Sequence, residues 1–159
     1  MKTRKLLAVV LAVALLASFI SVPVFAEGEG AILEDLGILV GTDDDGVTDD
    51  YLASTATRAQ AALIHLRLFG LEEDALAFEG AETFADAATA TEFWQPVLEY
   101  LKANPELGWQ GDDEGNFMPT AAITGQQFTK VLLVALGYVE GTDFTYDETM
   151  TFAAGIGLD

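Results

Sequence analysis

Two stretches of the chain, 67 residues apart, share one pattern of apolar and polar positions. In the second stretch, apolar residues recur at i, i+3, i+4, i+7 and i+8, which is typical of a helix that buries one face. These residues are Phe128, Val131, Leu132, Ala135 and Leu136. The matching positions of the first stretch are Ala61, Ile64, His65, Leu68 and Phe69. The pattern predicts two equivalent core helices and places the single histidine of the chain in the core.

The residues that flank these stripes predict where each helix begins and ends. Thr57 stands three residues before Gln60, and Thr124 stands three residues before Gln127. With this spacing the Thr oxygen accepts from a first-turn N–H, while the Gln side chain reaches back to the Thr N–H. Each stretch ends at a glycine, where a left-handed cap is expected. We therefore interpret the chain as a tandem repeat.

His65 allows two interpretations. As a functional residue it would be a base or a metal ligand, but the chain has no cysteine and no second histidine. A lone imidazole on an apolar stripe is more often a packed, hydrogen-bonded core residue. We expect the second case, in which burial lowers the pKa of His65 and keeps its ring neutral.

Two weaker patterns predict helices ahead of the repeated ones. The first helix is expected within 29–40, and Gly37 would interrupt or cap it. Its buried face would consist of Ile32, Leu33, Leu36 and Leu39. The second helix is expected over 91–104, with Pro96 in its first turn, where a missing N–H is tolerated. Its buried face would consist of Phe93, Val97, Leu98 and Leu101.

The loops at 41–50 and 111–119 are rich in Gly and Asp, which suggests calcium at first sight. Neither loop has the spacing between the first Asp and the invariant Gly that a helix-loop-helix calcium site requires. We therefore expect polar turns that redirect the chain.

The end of the chain repeats the beginning of a unit. Thr145 and Glu148 again have the capping-box spacing, and residues 155–158 are similar to 36–39. The interpretation is a first repeat at 27–80, a second at 81–141 and the start of an incomplete third at 142–159.

Residues 1–26 are predicted to be a signal peptide. A basic start precedes an almost wholly apolar run over 6–20, and Val24 and Ala26 supply the small residues that a signal peptidase requires. A retained membrane anchor is the alternative, because the apolar run approaches the length that spans a bilayer. Cleavage would leave a secreted protein with no membrane partner.

After residue 26 the chain carries 26 acidic residues against four cations, so its formal charge is about −22. The cations are Arg58, Arg67, Lys102 and Lys130. Nucleic acid is not an expected partner, because binding phosphates needs clustered cations. The chain has no cysteine, so its core must be held by packing alone.

The order of these features resembles that of S-layer homology domains, which are exported bacterial modules. In that family an acidic Gly loop with a following Phe-x-Pro leads to a Thr-Arg-Ala-Glu signature, which opens an apolar helix ending in Leu-Gly. Here residues 57–60 read Thr-Arg-Ala-Gln, and 84–86 together with Phe93 and Trp94 resemble the entry to a unit. The loop residues that match are Gly111, Gly115, Phe117 and Pro119. The resemblance implies an all-α fold, with tandem helix-loop-helix repeats packed as a small helical bundle.

The resemblance also implies a function, namely non-covalent attachment to the bacterial cell wall by binding the secondary cell-wall polysaccharide linked to peptidoglycan. Arg58 would meet an acidic sugar group, and Thr57 and Gln60 would fix the start of its helix. Phe93 or Trp94 would stack on a sugar face. The expected ligand-binding residues are Arg58, Thr57, Gln60, Asp86, Phe93, Trp94, Gly111 and Gly115. No cofactor and no metal are expected.

Arg58 carries most of this hypothesis, because its counterpart in the second stretch is Gly125. The capping residues recur and Arg58 does not, so the fold does not explain its presence, and a single arginine predicts weak binding. The alternative function is a structural or partner-binding module whose third unit is completed by another chain, either a second copy or a different protein. An enzyme is not expected, since the chain has no histidine motif, no cysteine and no Gly-x-Ser-x-Gly elbow.

Overall fold

The computed structural model describes residues 29–41 and 46–158. The predicted signal peptide at 1–26, part of the first acidic loop and Asp159 lie outside these ranges. The α helices within them are α1 Glu29–Asp35, α2 Asp49–Ala53, α3 Arg58–Phe69, α4 Glu72–Leu76, α5 Gln95–Ala103, α6 Gly125–Ala135 and α7 Thr149–Gly155. Short 3-10 turns lie at Ala87–Thr89, Glu92–Trp94, Pro105–Leu107 and Tyr146–Glu148. The protein is therefore all-α and forms a small helical bundle, as the sequence predicts.

The capping boxes that start α3 and α6 are confirmed. At α3, Gln60 N–H donates to Thr57 Oγ1 at 3.3 Å, and Thr57 N–H donates to Gln60 Oε1 at 2.8 Å. At α6, the corresponding bonds between Thr124 and Gln127 measure 3.2 and 3.0 Å. The two helices begin in the same way because the Thr-x-x-Gln spacing satisfies N–H groups that have no partner inside the helix.

The ends of α3 and α6 are confirmed as well. Gly70 and Gly137 have φ of 69° and 96°, in the left-handed region that glycine enters without steric cost. The next residue in each case donates its N–H to the carbonyl five residues earlier, at 2.8 Å for Leu71 and 3.0 Å for Tyr138. This bond pattern terminates a helix by satisfying one of its last free carbonyl groups.

The last helix, α7, repeats the geometry of α1. Gly37 and Gly157 both have positive φ. The residues after them, Ile38 and Leu158, each donate back to a carbonyl five residues earlier, at 2.9 Å in both helices. The end of the described chain thus repeats the local structure of its beginning, 120 residues later. The division into three repeats stays an interpretation.

The buried face predicted for the first helix is partly wrong. Helix α1 ends at Asp35, and the side chains of Ile32 and Leu36 are 49% and 58% exposed. Leu33 and Leu39 are buried as predicted. Ile32 and Leu36 are exposed because no described element covers them, whereas the left-handed turn at Gly37 ends the helix and brings Leu39 back to the core outside the helical register.

The helix predicted over 91–104 is observed as the 3-10 turn Glu92–Trp94 followed by α5, with Pro96 in the first turn of the latter. Its predicted core residues Val97, Leu98 and Leu101 are fully buried. Phe93 is the exception, because its side chain is 52% exposed. The 3-10 turn places Phe93 outside the α5 stripe, where its ring packs edge-to-face on Trp94 with centroids 5.0 Å apart.

Within the residues that the structure describes, three apolar clusters form the core, and one side chain packs against all of them. One cluster joins α3 to α5 and to the segment with Trp109 and Phe117, a second joins α6 to α7, and a third joins α1 and α2 to α3. Phe128 packs against all three clusters. Within the described ranges, no helix is both long and apolar enough to cross a membrane.

Candidate functional site

Arg58 ties the start of α3 to the second acidic loop. Its Nε–H donates to the backbone carbonyl of Phe117 at 2.8 Å, and Nη2–H donates to the carbonyl of Gln110 at 3.3 Å. The guanidinium carbon also lies 5.0 Å from the centre of the Phe117 ring and 5.7 Å from that of Trp109. These distances are those of cation–π contacts. The fold therefore does explain the presence of Arg58, which corrects the expectation drawn from its absence in the second stretch.

Asp86 holds the same loop from the other side. Its Oδ1 accepts from Phe117 N–H and its Oδ2 accepts from Met118 N–H, both at 2.7 Å. Just before it, Ala85 N–H donates to the carbonyl of Gly115 at 2.9 Å. Charge-assisted bonds to two successive amides fix the loop backbone firmly. Asp86 thus has a structural task in addition to the ligand-binding role expected for it.

Gly111 and Gly115 are required by the turn itself. A Cβ atom on Gly111 would lie 2.7 Å from the carbonyl oxygen of Asn116, and Gly115 has φ of 82°. Between them, the carboxylate of Asp112 accepts from Asn116 N–H at 2.8 Å, and this hydrogen bond lowers the pKa of Asp112. Across the residues that the structure describes, no group of three or more acidic or histidine side chains could hold a metal ion.

A cavity of about 170 Å³ lies beside Arg58, where α3, α6 and the segment before α7 meet. Its lining comprises Arg58, Gly108, Gln110, Gln127, Lys130, Val131, Glu140 and Tyr146. We call it the Arg58–Lys130 pocket. The structure therefore brings together side chains from what the sequence presents as three separate units.

Two of the four cations found after residue 26 line this pocket. Lys130 pairs with Glu140, with 3.2 Å between Nζ and Oε2. The other two cations lie elsewhere, since Arg67 pairs with Glu72 at 2.8 Å and the ammonium group of Lys102 lies 5.0 Å from the Phe84 ring centre. Two of the four cations that follow residue 26 therefore line one pocket, together with the carboxylate of Glu140.

Arg58 is half-buried in this pocket. Burial lowers the pKa of its guanidinium, while Asp86 and Tyr146 act in the opposite direction. An arginine keeps its charge in such surroundings because its unperturbed pKa is far above neutrality. The site therefore presents a permanent, partly desolvated positive charge.

The aromatic residues expected at the site are not those that contact Arg58. In the described part of the chain, the rings beside its guanidinium belong to Trp109 and Phe117. Phe93 and Trp94 pack on each other instead. Thr57 and Gln60 serve the capping box, and the pocket contains the second-repeat counterpart of Gln60, namely Gln127.

Lys130 is a pocket residue that the sequence analysis does not predict as a ligand-binding residue. It stands three residues after Gln127 on α6, so both side chains lie on one face of that helix. The usable signal is its rarity, because only four cations follow residue 26. Glu140 and Tyr146 carry no such signal, since they reach the pocket from the turns after α6.

His65 is a packed core residue, as the sequence predicts. Trp109 Nε1–H donates to His65 Nδ1 at 2.6 Å, so the proton of the neutral ring is on Nε2. Burial lowers the pKa of His65 to about 3. The bond also places the Trp109 ring, which lies beneath the Arg58 guanidinium. His65 therefore supports the pocket without lining it.

Comparisons with protein-family models, with curated proteins and with solved structures found no match for this chain. The likeness to S-layer homology domains therefore rests on the residues named above.

Proposed function

We propose that this protein attaches non-covalently to the bacterial cell wall by binding an acidic group of a wall polysaccharide in the Arg58–Lys130 pocket. The observation that carries the proposal is the convergence of Arg58 and Lys130 on one cavity, in a chain whose formal charge after residue 26 is about −22. The Thr-Arg-Ala-Gln sequence at 57–60 supports the same function through its resemblance to the S-layer homology signature.

The lining of the pocket suits a sugar that carries a carboxylate. Lys130 and the N–H groups of Arg58 not used by the two carbonyls supply donors, and the side-chain amide of Gln127 and the phenol of Tyr146 add neutral ones. Tyr146 is 40% exposed, so its ring is accessible to the apolar face of a sugar. A cavity of about 170 Å³ is smaller than a typical drug-sized site, which favours one sugar unit or terminal group over a long segment.

A pull-down of the purified protein on isolated cell wall tests the proposal. We expect the wild type to bind and Arg58→Ala to bind less. Lys102→Gln is the matched control, since it removes a cation whose contact is with Phe84, outside the pocket. Failure of the wild type to bind, or equal binding by Arg58→Ala and wild type, would contradict the proposal.

The second candidate function is a module completed by another chain. It is favoured by the exposed apolar side chains of the last segment, where Tyr146, Met150 and Ile156 are each 40–42% exposed. Exposed apolar side chains mark an interface where they form a contiguous patch. Sedimentation that shows a dimer or larger assembly would support completion by a second copy, and a stable monomer at all concentrations would contradict completion by a second copy.

A further inference from the structure

We infer that Lys130 is the residue that binds the carboxylate in the Arg58–Lys130 pocket, and that Glu140 is a built-in competitor which occupies Lys130 until the ligand replaces it. The inference rests on the proposed function and specifies how the same site is regulated. Without a ligand, the charge of Lys130 is neutralised by Glu140. A ligand must be an anion to replace Glu140.

The first step concerns Arg58, whose guanidinium is already committed to the protein. Nε–H and Nη2–H point at the carbonyl oxygens of Phe117 and Gln110. These two atoms form one of the sides of the guanidinium that can make a two-bond fork with a carboxylate. A ligand can use the remaining N–H groups of Arg58 but not this side, so part of the hydrogen-bonding capacity of Arg58 is already used by the protein.

The second step concerns Lys130, whose ammonium group pairs with a side chain. Its side chain is 16% exposed, and its Nζ lies 3.2 Å from Glu140 Oε2. The residue stands on α6, a helix held at its start by a capping box and at its end by Gly137. A partly buried ammonium on a rigid helix attracts an anion more strongly than an exposed one would.

The third step concerns Glu140, whose backbone is fixed by the turn while its side chain can move. Gly141 N–H donates to the carbonyl of Phe144 at 2.7 Å, and Val139 N–H donates to Asp143 Oδ2 at 2.7 Å. The turn is thus closed on both sides of Glu140, whereas its side chain is 38% exposed and can rotate into water. Ion pairs with this much exposure contribute little, so a ligand carboxylate can take the place of Glu140.

The balance of charges defines the ligand. Arg58 and Lys130 are balanced by Glu140, which pairs with Lys130, and by Asp86, whose charge acts on Arg58, so release of Glu140 from Lys130 leaves room for one carboxylate. The ligand class is therefore a sugar ring bearing a single carboxylate, and the corresponding neutral sugar would leave the ion pair in place.

The test is a calorimetric or NMR titration with D-glucuronate, with glucose as the neutral comparison. Glu140→Gln removes the competitor and should bind glucuronate more tightly, by up to about fivefold, which is the ratio that a partly exposed ion pair supports. Lys130→Met keeps the apolar stem of the side chain and should lose binding. Glu72→Gln is the matched control, since it breaks the Arg67 pair outside the pocket and should bind as wild type does.

Three outcomes would overturn the inference: equal glucuronate affinity of Glu140→Gln and wild type, binding retained by Lys130→Met, or no glucuronate binding by any variant. Thermal unfolding of each variant checks that the variant is folded. If Lys130→Met is unfolded, the glucuronate affinity of Glu140→Gln alone decides whether the inference holds. The wall pull-down is read separately, because glucuronate binding without wall binding would reject the proposed function and leave the inference standing.

Discussion

Arg58 and Phe117 are joined by a hydrogen bond from the guanidinium Nε–H to the backbone carbonyl, 2.8 Å long, although they stand 59 residues apart in the chain. The amide N–H of the same Phe117 donates to Asp86. The carbonyl of Phe117 is thus bonded to a cation and its N–H to an anion, and the two charged residues come from different parts of the sequence. This arrangement gives Arg58 a structural role, which must be separated from any role in binding.

Arg58→Ala is expected to lower the free energy of unfolding by about 1.5–3 kcal/mol, the range for hydrogen bonds made by a charged group. Arg58→Lys keeps the charge but cannot reproduce the Nε bond, so it should recover only part of the loss. Urea unfolding at pH 7 measures both variants. If Arg58→Ala unfolds at the same urea concentration as the wild type, the bonds to Phe117 and Gln110 do not stabilise the fold.

Asp86→Ala is expected to loosen the 111–118 loop, because it removes the acceptor of two successive amides. The free energy of unfolding should fall by about 1–3 kcal/mol, and amide exchange at Phe117 and Met118 should accelerate. Glu82→Ala serves as a control, since that acidic side chain is exposed nearby in the sequence. Unchanged exchange at the two amides in Asp86→Ala would contradict the structural role of Asp86.

The stability of the protein should fall as the pH drops from 7 to 5, because of His65. Its pKa is about 3 in the folded protein, against an ordinary value of 6.5. Between these values the unfolded chain binds a proton that the folded one does not, so protonation favours unfolding. The slope approaches about 1.4 kcal/mol per pH unit below pH 6.5, where the unfolded histidine is charged.

Urea unfolding at several values between pH 5 and 7 measures this slope in a range where most carboxylates stay ionised. His65→Leu introduces the residue found at the matching position of α6 and removes the titrating group. Its unfolding midpoint should vary less with pH than that of the wild type, even though the loss of the Trp109 bond lowers it overall. An equal pH dependence in both proteins would show that His65 is not the cause.

The features that could be predicted from the sequence are those set by neighbours along the chain. The Thr57–Gln60 capping box and the left-handed Gly70 depend on residues within one or two helical turns, so spacing alone reveals them. The burial of His65 followed from helical periodicity for the same reason. These local rules apply wherever the helix packs.

The features that could not be predicted depend on which elements meet in space. Ile32 and Leu36 satisfy the helical pattern, but no described element covers them, so they remain exposed. Lys130 and Glu140 share a pocket with Arg58 only because α6 and the turn after it lie beside the start of α3. Nothing in the local sequence of α6 distinguishes Lys130 from a solvated surface lysine. Sequence spacing therefore defined the helices well and the pocket only in part.

Met118 offers a last test of how the loop is held. It is the one residue other than glycine in the described ranges with positive φ, at 59°, and its N–H is bound by Asp86. A side chain in this left-handed conformation costs roughly 1–2 kcal/mol, which glycine avoids. Met118→Gly is therefore expected to raise the free energy of unfolding by up to about 1 kcal/mol, since the greater freedom of glycine in the unfolded chain offsets part of the gain.

Met150→Gly is the matched control, because Met150 is exposed to the same degree as Met118 but lies in α7, where glycine is unfavourable by about 1 kcal/mol. The two substitutions should move the thermal unfolding midpoint in opposite directions. If both lower it, the left-handed conformation of Met118 carries no cost that glycine relieves. The hydrogen bond from Met118 N–H to Asp86 would then stabilise the loop without compensating for any backbone strain at Met118.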